Sequence, residues 1–205
     1  KADSLGVDVI NTSLGYTTFD NPNHSYSYAD MDGKTTFISR GAEIANSRGI
    51  LVVNAVGNSG NSAWKYLAAP ADAASVISVG AVDAVGEIAP FSSFGPTSDN
   101  RIKPEILAQG LGVTVINFSS GEVSLSNGTS FSSPIMAGLI ACLNDNEGFI
   151  LKSVNKRNKN LNDFLKEELY KSADRYNNPT NQHGYGIPDF IKAFNNYISV
   201  FSVDE

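Results

Sequence analysis

The chain has 205 residues, 41% of them hydrophobic and 18% charged, with a formal net charge of −6 at pH 7. That length and balance suit one globular domain with a real core, and an acidic chain without a Lys/Arg cluster among aromatics lacks the basic footprint that nucleic-acid phosphates require. No apolar run reaches membrane-span length, the first residues lack a signal-peptide layout, and a lone cysteine, Cys142, excludes an internal disulfide or a zinc cluster.

In chain order, residues 8–14, 50–56 and 76–82 are short apolar runs, which predicts three buried strands of a mainly parallel α/β sheet covered on both faces. Between the first two, Phe37, Ile38, Gly41, Ala42, Ile44 and Ala45 recur at helical spacing and Gly49 marks a stop, giving a strand-helix-strand unit. Residues 113–116 predict a further strand. Residues 135–143 are apolar all round, which predicts a central buried helix that holds Cys142 as an inert thiol and tolerates Pro134 in its first turn. Leu161, Phe164, Leu165 and Leu169 predict an amphipathic surface helix, and Phe190, Ile191, Phe194, Tyr197 and Ile198 another that begins at Pro188. Residues 152–160 read as a solvated basic linker between them.

Three strand ends carry the chemistry. Gly128, Thr129 and Ser130 precede the apolar helix, so a serine hydroxyl stands where unpaired helix N–H groups stabilise an anion; a polar N-cap would show the same local pattern. Gly57, Asn58, Ser59 and Gly60 close the second strand, where open α/β sheets bind ligands. Asn58 can donate its side-chain amide there, whereas in a plain turn it would bond its own backbone. Ser13, Leu14 and Gly15 close the neighbouring strand. A serine nucleophile also needs a base and an acid to orient it, and no His-Gly-Thr-His or Asp-Ser/Thr-Gly segment precedes Ser130.

Taken in order, these motifs resemble the C-terminal part of the catalytic domain of the subtilases, the subtilisin-like serine proteases. The likeness runs from about Val7 through Ser130 to Leu143 and includes Ala69-Pro70-Ala71, Phe91 to Pro96 and Lys103-Pro104-Glu105-Ile106, with Gln109 where the family usually has proline. The resemblance implies a subtilisin-like three-layer α/β fold lacking its N-terminal part, with residues 1–205 as the nucleophile half of a peptidase domain. It implies a serine endopeptidase in which Ser130 is acylated and Asn58, with the Ser130 N–H, holds the oxyanion. Ser13, Leu14 and Gly15 would pair with the substrate backbone, Ala55, Val56 and Gly57 would wall the main specificity pocket, and Thr129 would lie against substrate. The implied partners are a polypeptide substrate and the missing half of the domain; no cofactor is required, a structural calcium fits the family, and the location is secreted or cell-envelope. Family order is acid, base, nucleophile, which puts the Asp and His before Lys1 and leaves this chain inactive by itself.

Other readings compete. A non-catalytic module could keep the cleft for peptide binding alone. Ser130, Asp163 or Asp174, and His183 copy the order of α/β-hydrolases, but the glycine that fold wants two residues after the nucleophile is Ser132. His24 lies in a polar loop, and residues 183–188 read as a turn into the last helix. Asp30, Met31, Asp32 and Gly33 match part of a calcium loop without its remaining ligands, so a solvated turn is expected.

Overall fold

Val9–Thr12 (β1), Leu51–Ala55 (β2), Ile77–Val82 (β3) and Ile106–Gln109 (β4) pair in that order as a four-stranded parallel sheet; a computed structural model describes residues 1–144 and 161–199 of the chain. Every residue of β2 and β3 is buried, as unalternating apolar runs require when both faces are covered. Helix α1 (Phe37–Ser47) covers one face, where Ala42 packs with Val52, Ala73 and Val76. Helices α2 (Thr129–Asn144), α3 (Leu161–Ser172) and α4 (Phe190–Ser199) cover the other, where Met136, Ile140, Phe164 and Leu169 join Val53 and Val79 in the main core. The result is the three-layer α/β/α arrangement. Val113–Ile116 (β5) and Val123–Ser126 (β6) form a separate antiparallel ribbon just before α2.

Several elements depart from the sequence reading. Residues 103–106, taken as linking segments, lead into β4 through a buried ion pair. Lys103 Nζ donates to the Ala73 and Val76 carbonyls at 2.8 Å and lies 2.5 Å from Glu105 Oε1. Glu105 Oε2 accepts the Ser78 N–H and hydroxyl, each at 2.7 Å, which pins β4 to β3. Burial pushes the Lys103 ammonium pKa down, and the Glu105 carboxylate works against that shift.

Helix α2 begins at Thr129, so Pro134 lies inside it rather than in its first turn. A proline there has no N–H for the carbonyl four residues back, and the Ser13 hydroxyl donates to that Ser130 carbonyl instead, at 3.0 Å. Nor is α2 buried all round: Met136, Ala137, Ile140 and Leu143 face inward, while Pro134, Ile135, Ala141 and Cys142 are exposed. Cys142 is therefore a surface thiol, because among the described residues packing covers only one side of the helix. The α3 reading agrees, with Phe164, Leu165 and Leu169 buried. Residues 183–188 do more than turn: Tyr185 N–H bonds the Glu105 carbonyl and Leu107 N–H the Gly186 carbonyl, at 2.7 and 2.9 Å. Gly184 is obligatory in this strip, since a Cβ there would stand 2.1 Å from the Pro104 carbonyl oxygen. The linker at 152–160 lies outside the described residues, as do the side chains of Leu161, Tyr197 and Ile198.

Candidate active site

Ser130 is the second residue of α2 and is half-buried. Its Oγ lies 3.4 Å from the Ser13 carbonyl oxygen, just past β1, so the ends of β1 and α2 clasp each other through two Ser13–Ser130 contacts. From the end of β2 the chain runs through Val56 and Gly57 to Asn58. Asn58 Oδ1 accepts the Thr129 N–H at 2.8 Å and the Thr129 hydroxyl at 2.9 Å, across 71 positions of sequence. The Gly57 N–H donates to the same hydroxyl oxygen at 3.3 Å. With its oxygen held, the Asn58 amide nitrogen has a fixed direction. A Cβ on Gly128 would stand 3.6 Å from Asn58 Nδ2 and 3.7 Å from Ser130 N. The two nitrogens thus lie at nearly the same distance from one point beside the Gly128 backbone, and among the described residues neither donates to an acceptor. Such a pair can hold one anionic oxygen.

The structure sorts the remaining candidates. Ser13, Leu14 and Gly15 follow β1; Leu14 is 56% exposed, its carbonyl accepts Asn54 Nδ2 at 3.2 Å, and the Tyr16 N–H bonds Ala69 O. Gly57 is half-buried, but Ala55 and Val56 are buried, and Val56 packs against Leu67 and Ala71. Thr129 is fully buried and its hydroxyl donates to Asn58 Oδ1 at 2.9 Å, which positions the Asn58 amide. Two residues escaped the sequence reading. Ser93 fixes the Asn58 loop, its N–H donating to Gly57 O and its Oγ accepting Ser59 N–H, both at 2.9 Å. Ala68 faces Gly15, where an added Cβ would stand 3.1 Å from Ala68 Cβ. The run Phe91 to Pro96 signalled the first only as a linking segment that resembles the family's, and nothing local signalled the second.

No histidine serves Ser130. His183 Nδ1 shares a hydrogen bond with Thr180 Oγ1 at 3.1 Å, and burial, with the Arg175 charge, lowers its pKa. Asp174 Oδ1 is occupied by the Ile187 N–H, and Asp163 is exposed on α3. The hydrolase-like order therefore does not assemble a triad. His24 is exposed in a short helical turn. The calcium-like turn is also engaged locally: Asp30 accepts from Ser27, and Asp32 from the Lys34 and Thr35 N–H groups and the Thr35 hydroxyl. Those carboxylates do not fit a calcium set, and among the described residues no three His, Cys, Asp or Glu side chains gather as one.

The family model of the subtilases matches residues 1–187. The chain belongs to the subtilase family. The match runs past Leu143, where motif likeness ends, into α3 and the strip beside β4. The subtilase is 30% identical over 195 residues to "Subtilisin-like protease SBT6.1" of Arabidopsis thaliana and 31% identical over 196 residues to human "Membrane-bound transcription factor site-1 protease". Each alignment covers 92% of this chain but only 17% and 16% of those relatives. Subtilisin DY of Bacillus licheniformis is 38% identical over 139 residues, covering 67% of this chain and 43% of that protein. The self-cleaved protease domain of PatA has the same fold, with a TM-score of 0.69 at 24% identity over 97% of this chain and 64% of that one. No helix among the described residues is long and apolar enough to cross a membrane.

Proposed function

We propose that this subtilase chain supplies the nucleophile and the oxyanion donors of a serine endopeptidase. The observation that carries the reading is the pair of nitrogen donors, Asn58 Nδ2 and Ser130 N, which lie 3.6 and 3.7 Å from one point beside the Gly128 backbone. In the proposed step Ser130 Oγ attacks the peptide carbonyl carbon, the carbonyl electrons move to oxygen, and the two donors hold the resulting anion. The amine leaves with a proton, and water then cleaves the acyl ester on Ser130. Ser13 O accepts a hydrogen bond from the nucleophile but, as a carbonyl, is no base. The base and its orienting acid are assigned to a histidine and an aspartate preceding Lys1, in the family order. Side chains and backbone carry every role, so the reaction requires no cofactor. A secreted or cell-envelope location belongs to the same proposal and rests on family resemblance.

The test uses a protein joining this chain to that acid- and base-bearing segment. Hydrolysis of a chromogenic peptide should disappear with Ser130→Ala. Asn58→Ala should lower kcat about 10²- to 10³-fold with little change in KM, a magnitude carried over from subtilisin itself. Peptide binding without hydrolysis in the intact protein would favour a binding module instead.

A further inference from the structure

The sheet edge opposite the Ser130 cleft carries positive charge that nothing neutralises. Ser130 is clasped to the segment just past β1, whereas β4 closes the sheet on the other side. There the Tyr185 N–H bonds Glu105 O, and the Tyr185 carbonyl accepts the Arg175 N–H at 2.9 Å. Beside that strip the end of α3 and the start of α4 line a concavity of about 490 Å³, with Lys171, Arg175, Asn177, Asn178 and Lys192 on its wall. Asp174, the one acidic residue among the described lining, already accepts the Ile187 N–H at Oδ1. Lys171 is paired with Glu167 and Glu168, at 2.7 and 3.0 Å. Arg175 and Lys192 are both exposed, and among the described residues neither side chain makes a hydrogen bond or an ion pair. In a chain of net charge −6, two uncommitted cations thus share one concave wall, which focuses their field.

Both cations stand on fixed backbone. Arg175 lies in a turn bonded on either side, its N–H to Tyr185 O and its carbonyl to the Asn178 N–H, each at 2.9 Å. Lys192 lies in the first turn of α4 with its N–H on Asp189 Oδ1 at 2.9 Å, so Asp189 caps that helix end and the positive charge of the site comes from side chains. A guanidinium fork beside an ammonium, with two carboxamides as further donors, matches a phosphoryl group, which brings three acceptor oxygens and about two negative charges at neutral pH. A single carboxylate would leave one cation unmatched. We infer that the concavity between α3 and α4 binds a phosphoryl group through Arg175 and Lys192, with Asn177 and Asn178 as additional donors. Lys192 lies beyond residues 1–187, the stretch that the family model matches, and the inference is independent of the chemistry proposed at Ser130. His183 senses the same charge: burial lowers its pKa most and Arg175 next, while Asp174 and Glu87 act the other way.

The test is calorimetric titration of the 205-residue chain at low salt with inorganic phosphate, acetate, a phosphoserine hexapeptide and the same peptide unphosphorylated. Phosphate should bind at least about tenfold tighter than acetate, or the phosphopeptide at least about tenfold tighter than its unphosphorylated form. Arg175→Gln and Lys192→Gln should each weaken that binding about tenfold, the loss of one charge-assisted hydrogen bond, whereas Lys34→Gln, at an exposed position outside the concavity, should leave it unchanged. In NMR titrations the bound phosphoryl group should raise the His183 pKa by offsetting Arg175, leave His24 unmoved, and have no effect on His183 in Arg175→Gln. Binding of phosphate identifies a free anion as sufficient, and binding of the phosphopeptide alone identifies a phosphoryl group carried on a polypeptide; either supports the site when the two substitutions remove it. Binding that survives both substitutions, or that Lys34→Gln weakens equally, shows general attraction to cations and overturns the inference. Failure of both phosphorylated probes to bind overturns it as well.

Discussion

A buried threonine decides where the Asn58 amide points. Both polar groups of Thr129 serve Asn58 Oδ1, and its hydroxyl also receives the Gly57 N–H. Thr129→Val, nearly equal in volume, removes one of the two anchors and orphans the Gly57 donor; it should cost about 1 to 2 kcal/mol in chemical denaturation, and an unchanged midpoint would show the hydroxyl to be idle. Gly128→Ala puts a methyl within 3.7 Å of both donor nitrogens, so in the activity-competent protein its turnover should fall at least as far as that of Asn58→Ala. Asp72 offers a pH test. Its carboxylate is fully buried; burial raises its pKa, and the Ser39 hydroxyl and Gly33 N–H only partly offset this. Above the raised pKa the fold carries a buried charge. As pH falls through that pKa, the folded carboxyl takes up a proton while the unfolded one, near about 3.9, remains ionised, so the contribution of this site to stability increases. Urea titrations from pH 7 down to 4.5 should show Asp72→Asn gaining less, or losing more, than the native chain; parallel curves would refute the assignment.

At the level of elements, β1, β2, β3, β5 and α1 were legible because each is a short apolar or periodic run bounded by a turn signal, although β1, expected to be buried, is half-buried with Asn11 exposed. Strand β4 was not, because its approach carries Lys103, Pro104 and Glu105, residues that argue against a buried strand until the lysine and glutamate are seen neutralising each other. Strand β6 alternates apolar and serine residues as a strand should, but over only four positions. The start of α2 was misread because Pro134 invites an N-terminal placement, and what makes an interior proline acceptable is Ser13, distant in sequence. The same holds for the site. Ser130 and Asn58 were readable as motifs and came together through family resemblance, whereas Thr129 and Ser93 act through contacts that no local pattern encodes. The buried pair gives the element-scale prediction. Lys103→Met removes the one cation, among the described residues, that pairs with a carboxylate also holding Ser78, and uncompensated buried charge costs about 3 to 5 kcal/mol. The variant should lose that much in urea-derived stability; a loss below about 1 kcal/mol would mean that water reaches Glu105 and relieves it.

At the scale of the whole molecule, one core spans both ends of the described chain, since Phe164, Leu169 and Ala193 pack with strands β2, β3 and β4. The site therefore stands on a scaffold that includes α3 and α4, although neither touches Ser130. Among the described residues, that scaffold offers Ser130 no proton acceptor beyond a carbonyl. The sequence has two histidines, one exposed in a surface turn and one bonded to Thr180, and among the described residues the Ser130 hydroxyl meets the Ser13 carbonyl alone, at 3.4 Å. An unassisted serine hydroxyl is almost wholly protonated at neutral pH, so two well-placed oxyanion donors have nothing to stabilise. In subtilisin, loss of the histidine alone lowers turnover by a factor on the order of 10⁶. The 205-residue chain should accordingly show no hydrolysis of a chromogenic peptide above background. Activity that Ser130→Ala abolishes would mean that a base does reach the nucleophile in this chain. In that case His183→Ala becomes the deciding measurement: loss of activity would require His183 to leave Thr180 and approach Ser130, against the arrangement described above.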